Sequence, residues 1–288
     1  MARERRKNLK MQVNDALQGM CNFSQSRHAA KKAGVASQYI FSYNTYHTYQ
    51  QQCHRYCEWL KERHSEVKRL PDAKAFVDEY LQSMIDVNLS PYTIKTAASA
   101  LGKLFQCKTT EWIKTPQRNH VNITRSRQRL VVNRHWDEVK HADVVEFAKS
   151  VGGRRAELTA MRGSWLVSDD NGKWYIDLTH TSATKGGKPR MVPIVGDVEL
   201  VVKMCQAAGD NKVFPNGISR HCDIHRYRAE YCKRLYESCA RDVATLSRRE
   251  IYYCRGTSKR LDREALRQCA KALGHERISV TVHYSYLM

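Results

Sequence analysis

No stretch of this 288-residue chain is apolar for long enough to span a bilayer. The basic start, MARERRKNLK, leads into no apolar signal core, so no secretory leader is expected. The ten cysteines include no Cys-x-x-Cys pair. Cys53 and Cys57, with His54 between them, share a helix face, but no second pair at zinc spacing follows. Free or buried thiols are therefore expected rather than a metal site, and a disulfide framework does not suit a chain with no leader. No internal repeat and no low-complexity tract occurs. Acids are also scarce: 29 Asp and Glu stand against 49 Lys and Arg, for a net charge of +20.

What is present fits a polyanionic partner. The chain is 42% hydrophobic, enough to bury a core. Cations that neutralise phosphates release counterions, so the basic excess points to nucleic acid, with RNA and DNA equally served by charge alone. The length allows one large domain or two ordinary ones.

The pattern divides into four parts. Residues 1–36 read as a basic arm, helical in part (Met11 to Met20) but with weak periodicity, with Arg3, Arg5, Arg6, Lys7, Lys10, Arg27, Lys31 and Lys32 against Glu4 and Asp15. Residues 37–113 read as a small helical domain. Tyr46, Tyr49, Cys53, Tyr56 and Leu60 recur at steps of three and four, Pro71 and Asp72 open a second helix, and Ser90-Pro91 caps a third. Residues 114–134 hold Lys114, Arg118, Arg125, Arg127, Arg129 and Arg134 with no acid, and read as a basic linker between two domains, which would fit a protein that closes around a duplex. Residues 135–288 form the second domain. There helices are expected at Trp136–Ser150 and Arg154–Met161, strands at Ser164–Val167, Lys173–Thr181 and Lys188–Ile194, and helical patterns over most of the remainder. The fold class expected is mainly α with a small antiparallel β-sheet.

Four segments carry chemistry. Phosphodiester transfer needs a nucleophile, positive charge on the non-bridging oxygens and a proton donor for the leaving oxygen. Arginine suits the second task, because its planar fork holds a phosphate by two hydrogen bonds and stays charged. The segments are Gly152-Gly153-Arg154-Arg155-Ala156-Glu157-Leu158, Lys185-Gly186-Gly187-Lys188-Pro189-Arg190-Met191-Val192-Pro193, His225-Arg226-Tyr227-Arg228, and Leu273-Gly274-His275 with Thr281 and Tyr284 downstream. The His-x-x-Arg spacing is weak alone, since 12 His and 49 Lys plus Arg give about two accidental His-x-x-basic matches in such a chain.

In this order the segments resemble the conserved boxes of the tyrosine recombinases, the family of phage integrases and Xer-type enzymes. The resemblance covers the second domain, and the Tyr-Arg-Ala-Glu-Tyr run after His225 is similar to a mobile-element subgroup. It implies a helical core-binding, SAM-like domain and a catalytic domain that clamp DNA. It also implies roles. Tyr284 would attack a backbone phosphate to give a 3′-phosphotyrosyl link, and Arg154 and Arg228 would hold the phosphate. Lys185 would be the general acid, His225 and His275 would position and neutralise, and Glu157 would support Arg154. Lys188 competes with Lys185, Arg255 (in a Tyr-Tyr-Cys-Arg segment) with Arg228, and Tyr286 with Tyr284.

Neither metal nor cofactor is implied, because the covalent link conserves bond energy. The resemblance further implies double-stranded DNA as partner, a homotetramer on synapsed sites, a monomer or dimer when free, an accessory directionality factor, no membrane, and a place in the bacterial cytoplasm with the nucleoid. The rival readings are a type IB topoisomerase, a catalytically inactive DNA-binding relative and an RNA-binding module.

Overall fold

The computed structural model describes residues 7–118, 134–181, 189–254 and 257–287, with 285–287 as backbone alone. The chain divides into two compact units, Met1–Asn122 and Ile123–Met288. Its described elements are mainly helical, with small antiparallel sheets. No described helix is long and apolar enough to cross a membrane.

The first unit is helical: α1 (Leu9–Gly19), α2 (Arg27–Lys32), α3 (Tyr43–Arg63), α4 (Leu70–Ala73), α5 (Val77–Asp86) and α6 (Pro91–Leu104). Side-chain caps set the starts. Asn8 accepts from the Met11 amide, Ser42 from that of Thr45 and Ser90 from that of Tyr92, with Pro91 in the first turn of α6. The apolar stripe of α3 (Cys53, Tyr56, Cys57, Leu60) packs with Leu81, Ile94, Ala97 and Leu101 into one core. Burial pushes the Cys57 thiol up to about 11 and Cys53 further, and His54 hydrogen-bonds Asn14 at 2.8 Å.

One expectation changes here. The basic arm is not wholly an arm: α1 packs on α3 and buries Val13 and Leu17 completely. The Gln12 side chain fastens it further, donating to the Lys68 carbonyl and accepting from the Leu70 amide, both at 2.9 Å. Two apolar residues four apart make one helical stripe, enough to suggest a helix in the sequence but too narrow to announce that it packs on a core.

The second unit runs α7 (Ala142–Val151), α8 (Arg155–Ala160), β1 (Leu166–Ser168), β2 (Trp174–Asp177), β3 (Met191–Pro193), α9 (Val198–Ala208), α10 (Ile224–Cys239), β4 (Ile251–Tyr253), β5 (Arg260–Asp262), α11 (Arg263–Ala272) and α12 (Ile278–Thr281). A 3-10 helix, Val282–Leu287, follows. The first sheet has the order β1-β2-β3, antiparallel, with Ile176 opposite both Leu166 and Val192. Ile176 and Val192 face a core shared with Phe147, Leu158, Val201, Tyr231 and Leu266.

Two elements differ from the sequence reading. The helix expected from Trp136 begins only at Ala142, because the Asp137 carboxylate accepts from the amides of Val139 and Lys140 and closes a local turn. A second sheet, β4-β5, stands where helix was expected. It leads directly into α11. Asp262, the last residue of β5, caps α11 by accepting from the Glu264 amide, and its carboxylate takes two 2.9 Å bonds from Arg241. Those arginine bonds hold the Asp262 carboxyl well below its ordinary range.

If α1 belongs to the core, Leu17→Ala destabilises the first unit by about 2–5 kcal/mol, as for other buried leucines. Urea unfolding of the full chain reads this; a loss under about 0.5 kcal/mol would mark α1 as a tail.

Candidate active site

The site begins at the α7–α8 junction. Gly152 ends α7 at φ +57°, a left-handed cap that favours glycine, and a Cβ there would lie 2.2 Å from the Tyr231 ring. The chain then turns into α8 with Arg154 at the N-cap. Glu157, three residues on, turns back: one carboxylate oxygen accepts from the Arg154 amide at 2.7 Å and the other from its guanidinium at 2.9 Å. Glu157 is fully buried, and the Arg190 guanidinium meets it at 2.8 Å. Burial alone would raise this carboxyl. The charge and hydrogen bond of Arg190, the Arg154 amide and the charge of Arg228 outweigh it, so Glu157 lies below the usual carboxylate range.

The C-terminus of α11 supplies the other half. Gly274 adopts φ +66°, its amide donates to the Lys271 carbonyl, and the His275 amide donates back to Ala270. This is a Schellman cap, and it leaves the carbonyls of Ala272 and Leu273 without helical donors. Arginines fill them. Arg190 Nε donates to Ala272 at 2.9 Å, Arg154 donates to Leu273 at 3.2 Å, and Arg228 also donates to Leu273. The negative end of the helix dipole thus faces three cations.

Arg228 lies on α10 in the buried stripe of Ile224, Tyr231 and Leu235, and is 1% exposed. Its second bond goes to the Gly152 carbonyl. Burial and the neighbouring Arg154 lower its pKa, with Tyr284 and Glu157 acting against them, but a guanidinium so placed keeps its proton. Tyr284 is 7% exposed and joins the core. The Arg228 guanidinium carbon lies 5.9 Å from the Tyr284 ring centroid. On the same tyrosine, the His275 ring is stacked at 5.6 Å and 11°. His275 Nδ1 lies 2.9 Å from Thr281 Oγ1. Burial, followed by Arg228, Arg154, Arg190 and His283, pushes the His275 imidazole down to about 3, so the ring is neutral at working pH.

The structure therefore brings Arg154, Glu157, Arg228, His275 and Tyr284 together. His225 stands one turn before Arg228 on α10 and is exposed. Arg155, beside Arg154, points elsewhere: its guanidinium holds the carbonyls of Ile218, Ser219 and Cys222. Lys114 and Arg118 are exposed on the first unit, with Arg118 5.7 Å from the Tyr92 ring centroid. Lys185, Lys188, Arg255, Arg125, Arg127 and Arg129 lie outside the described residues, as does the side chain of Tyr286, whose backbone shares the 3-10 helix of Tyr284.

Two members of the cluster had no role in the sequence reading. Arg190 looks like one more cation in a basic hairpin, yet it is the buried partner of Glu157. Thr281 is a fully buried hydroxyl against His275.

Glu157→Leu leaves Arg190 as a buried charge without its carboxylate. The expected loss of stability is about 3–5 kcal/mol by urea unfolding, and a loss below about 1 kcal/mol would show that the carbonyls suffice. A pH test reads His275. Its pKa falls from 6.5 to about 3 on folding, so below pH 6.5 the unfolded chain takes a proton that the folded one refuses. Stability from this group is lost as pH falls from about 6.5 toward 3. His275→Gln removes that slope, so between pH 7.5 and 5 the free-energy gap shifts in favour of the variant. Parallel profiles would mean that the folded imidazole protonates normally.

No family model matches the chain, and a search of curated proteins found no match. Among solved structures it is similar to the Tn1549 transposon integrase in complex with transposon right end DNA, at 14% identity over 94% of each chain with a TM-score of 0.45. It is similar also to the same integrase with circular intermediate DNA, at 13% identity over 94% of each chain and a TM-score of 0.42. XerA recombinase matches at 14% identity over 96% of each chain, with a TM-score of 0.30. At this identity and TM-score the likenesses carry no argument about the site, whose chemistry stands on the chain's own residues.

Proposed function

We propose that this chain is a tyrosine-type site-specific DNA recombinase, acting in the integration or excision of a mobile element. The observation that carries the reading is that Arg228 and His275 both pack on the buried Tyr284, while Arg154 joins Arg228 on the Leu273 carbonyl beside them. Two guanidiniums with a shared carbonyl acceptor keep N–H groups for a phosphate, and a neutral imidazole adds a directional donor. The Tyr284 oxygen attacks phosphorus and gives up its proton as the 3′-phosphotyrosyl bond forms and the bond to the 5′ oxygen breaks. Lys185 returns a proton to that 5′ oxygen, and His225 assists at the edge of the site. A 5′-hydroxyl from a partner strand reverses the step. Glu157 and Arg190 hold Arg154 in place from behind. The basic stretch with Lys114, Arg118, Arg125, Arg127 and Arg129 follows DNA phosphates, and the two units close on the duplex as a clamp. On paired sites four protomers assemble, and an accessory factor sets direction.

The test uses the full chain and a pool of nicked suicide duplexes with randomised sequence, from which SDS-resistant adducts are captured and sequenced. Wild type and Tyr286→Phe form an adduct; Tyr284→Phe does not. No adduct from wild type would overturn the recombinase reading, and an adduct lost only in Tyr286→Phe would move the nucleophile.

A further inference from the structure

The hydroxyl of Thr281 faces a single partner. It is fully buried on α12, and its only hydrogen bond among the described residues is the 2.9 Å contact with His275 Nδ1. A hydroxyl and a neutral imidazole can share that contact in two ways. If Nδ1–H donates to Thr281, the hydroxyl proton is left in the core with no acceptor, a loss of about 1–3 kcal/mol. The ring would then turn a bare Nε2 lone pair toward any incoming phosphate. If Thr281 donates to Nδ1, the hydroxyl is satisfied and the ring proton sits on Nε2. The imidazolium is a third assignment, but burial beside Arg154, Arg190 and Arg228 opposes it. Nothing else among the described residues hydrogen-bonds the ring, so the choice falls to Thr281.

We infer that Thr281 is a positioning residue that donates to His275 Nδ1 and fixes the neutral tautomer with its proton on Nε2, the donor offered to the scissile phosphate. The geometry supports this from both sides. The backbone of His275 is pinned by its amide bond to Ala270, and its ring lies against Tyr284 at 11°, so the tautomer is the one freedom left to set. A hydrogen bond to the far nitrogen of a working histidine sets its tautomer in just this way.

The phosphate part of this inference rests on the recombinase reading; the tautomer does not. The full chain, labelled with 15N-histidine, is examined by NMR at pH 7, and the His275 signals are assigned by their loss in His275→Gln. Wild type and Thr281→Ser show Nε2–H with a pyridine-type Nδ1; Thr281→Val loses that pattern. A wild-type ring protonated on Nδ1 or on both nitrogens overturns the inference, as does a Thr281→Val ring with the wild-type pattern. If the valine variant does not fold, the wild-type and serine spectra still decide. On a nicked substrate recovered from the pool, Thr281→Val slows adduct formation about 10–100-fold with duplex binding unchanged, and Thr281→Ser regains most of the rate. An unchanged Thr281→Val rate removes the positioning role. Absence of any wild-type adduct would instead sink the recombinase reading, and the NMR result would still decide what Thr281 does to the ring.

Discussion

Three guanidinium groups share one small volume in the second unit, and the fold is arranged around keeping them there. Like charges so close repel strongly once water is withdrawn. Arg228, almost wholly buried, is tolerable because it meets the carbonyls of Gly152 and Leu273 and lies near Glu157 and Tyr284, which also favour its charge. Arg154 and Arg190 divide the Glu157 carboxylate between them and take what remains of the α11 terminus. The acceptors are one full negative charge and a set of peptide dipoles, so these side chains keep a positive excess. An arrangement stable in the free protein yet still short of negative charge is preorganised for an anion, and its dipoles need not reorient when one arrives.

In the proposed reaction the chemistry is divided between the members. The arginines supply charge. His275 supplies direction, since a neutral imidazole donates along one N–H vector only. Tyr284 is held as a core residue, its ring packed by His275 and Arg228, so the contacts that fold the second unit also place the phenol.

Much of this is legible in the chain. Leu273-Gly274-His275 spells a helix end, because glycine alone enters the left-handed cap without strain, and the residue after it is delivered at a fixed angle. Glu157 three residues after Arg154 spells a helix start. Arg228 carries a signal of its own: a cation in the apolar stripe of Ile224, Tyr231 and Leu235 has to be explained by a partner. Other features are hidden for physical reasons. The burial of Arg190 depends on Glu157, 33 positions earlier, and nothing local announces it. The turn at Asp137 overrides an otherwise helical pattern through one side chain. Helix α1 buries only two residues, too narrow a stripe to tell a packed helix from a helical tail.

Helix α11 is clamped at both ends, by Asp262 at its start and by the glycine cap at its finish. Its ten residues therefore act as a gauge block. One residue more or less would turn the final carbonyls by about 100° and shift them by about 1.5 Å, away from the groups that they receive. The count from Asp262 to Gly274 is therefore a dimension that any descendant of this sequence has to inherit whole, because it sets where the α11 carbonyls meet the three guanidiniums.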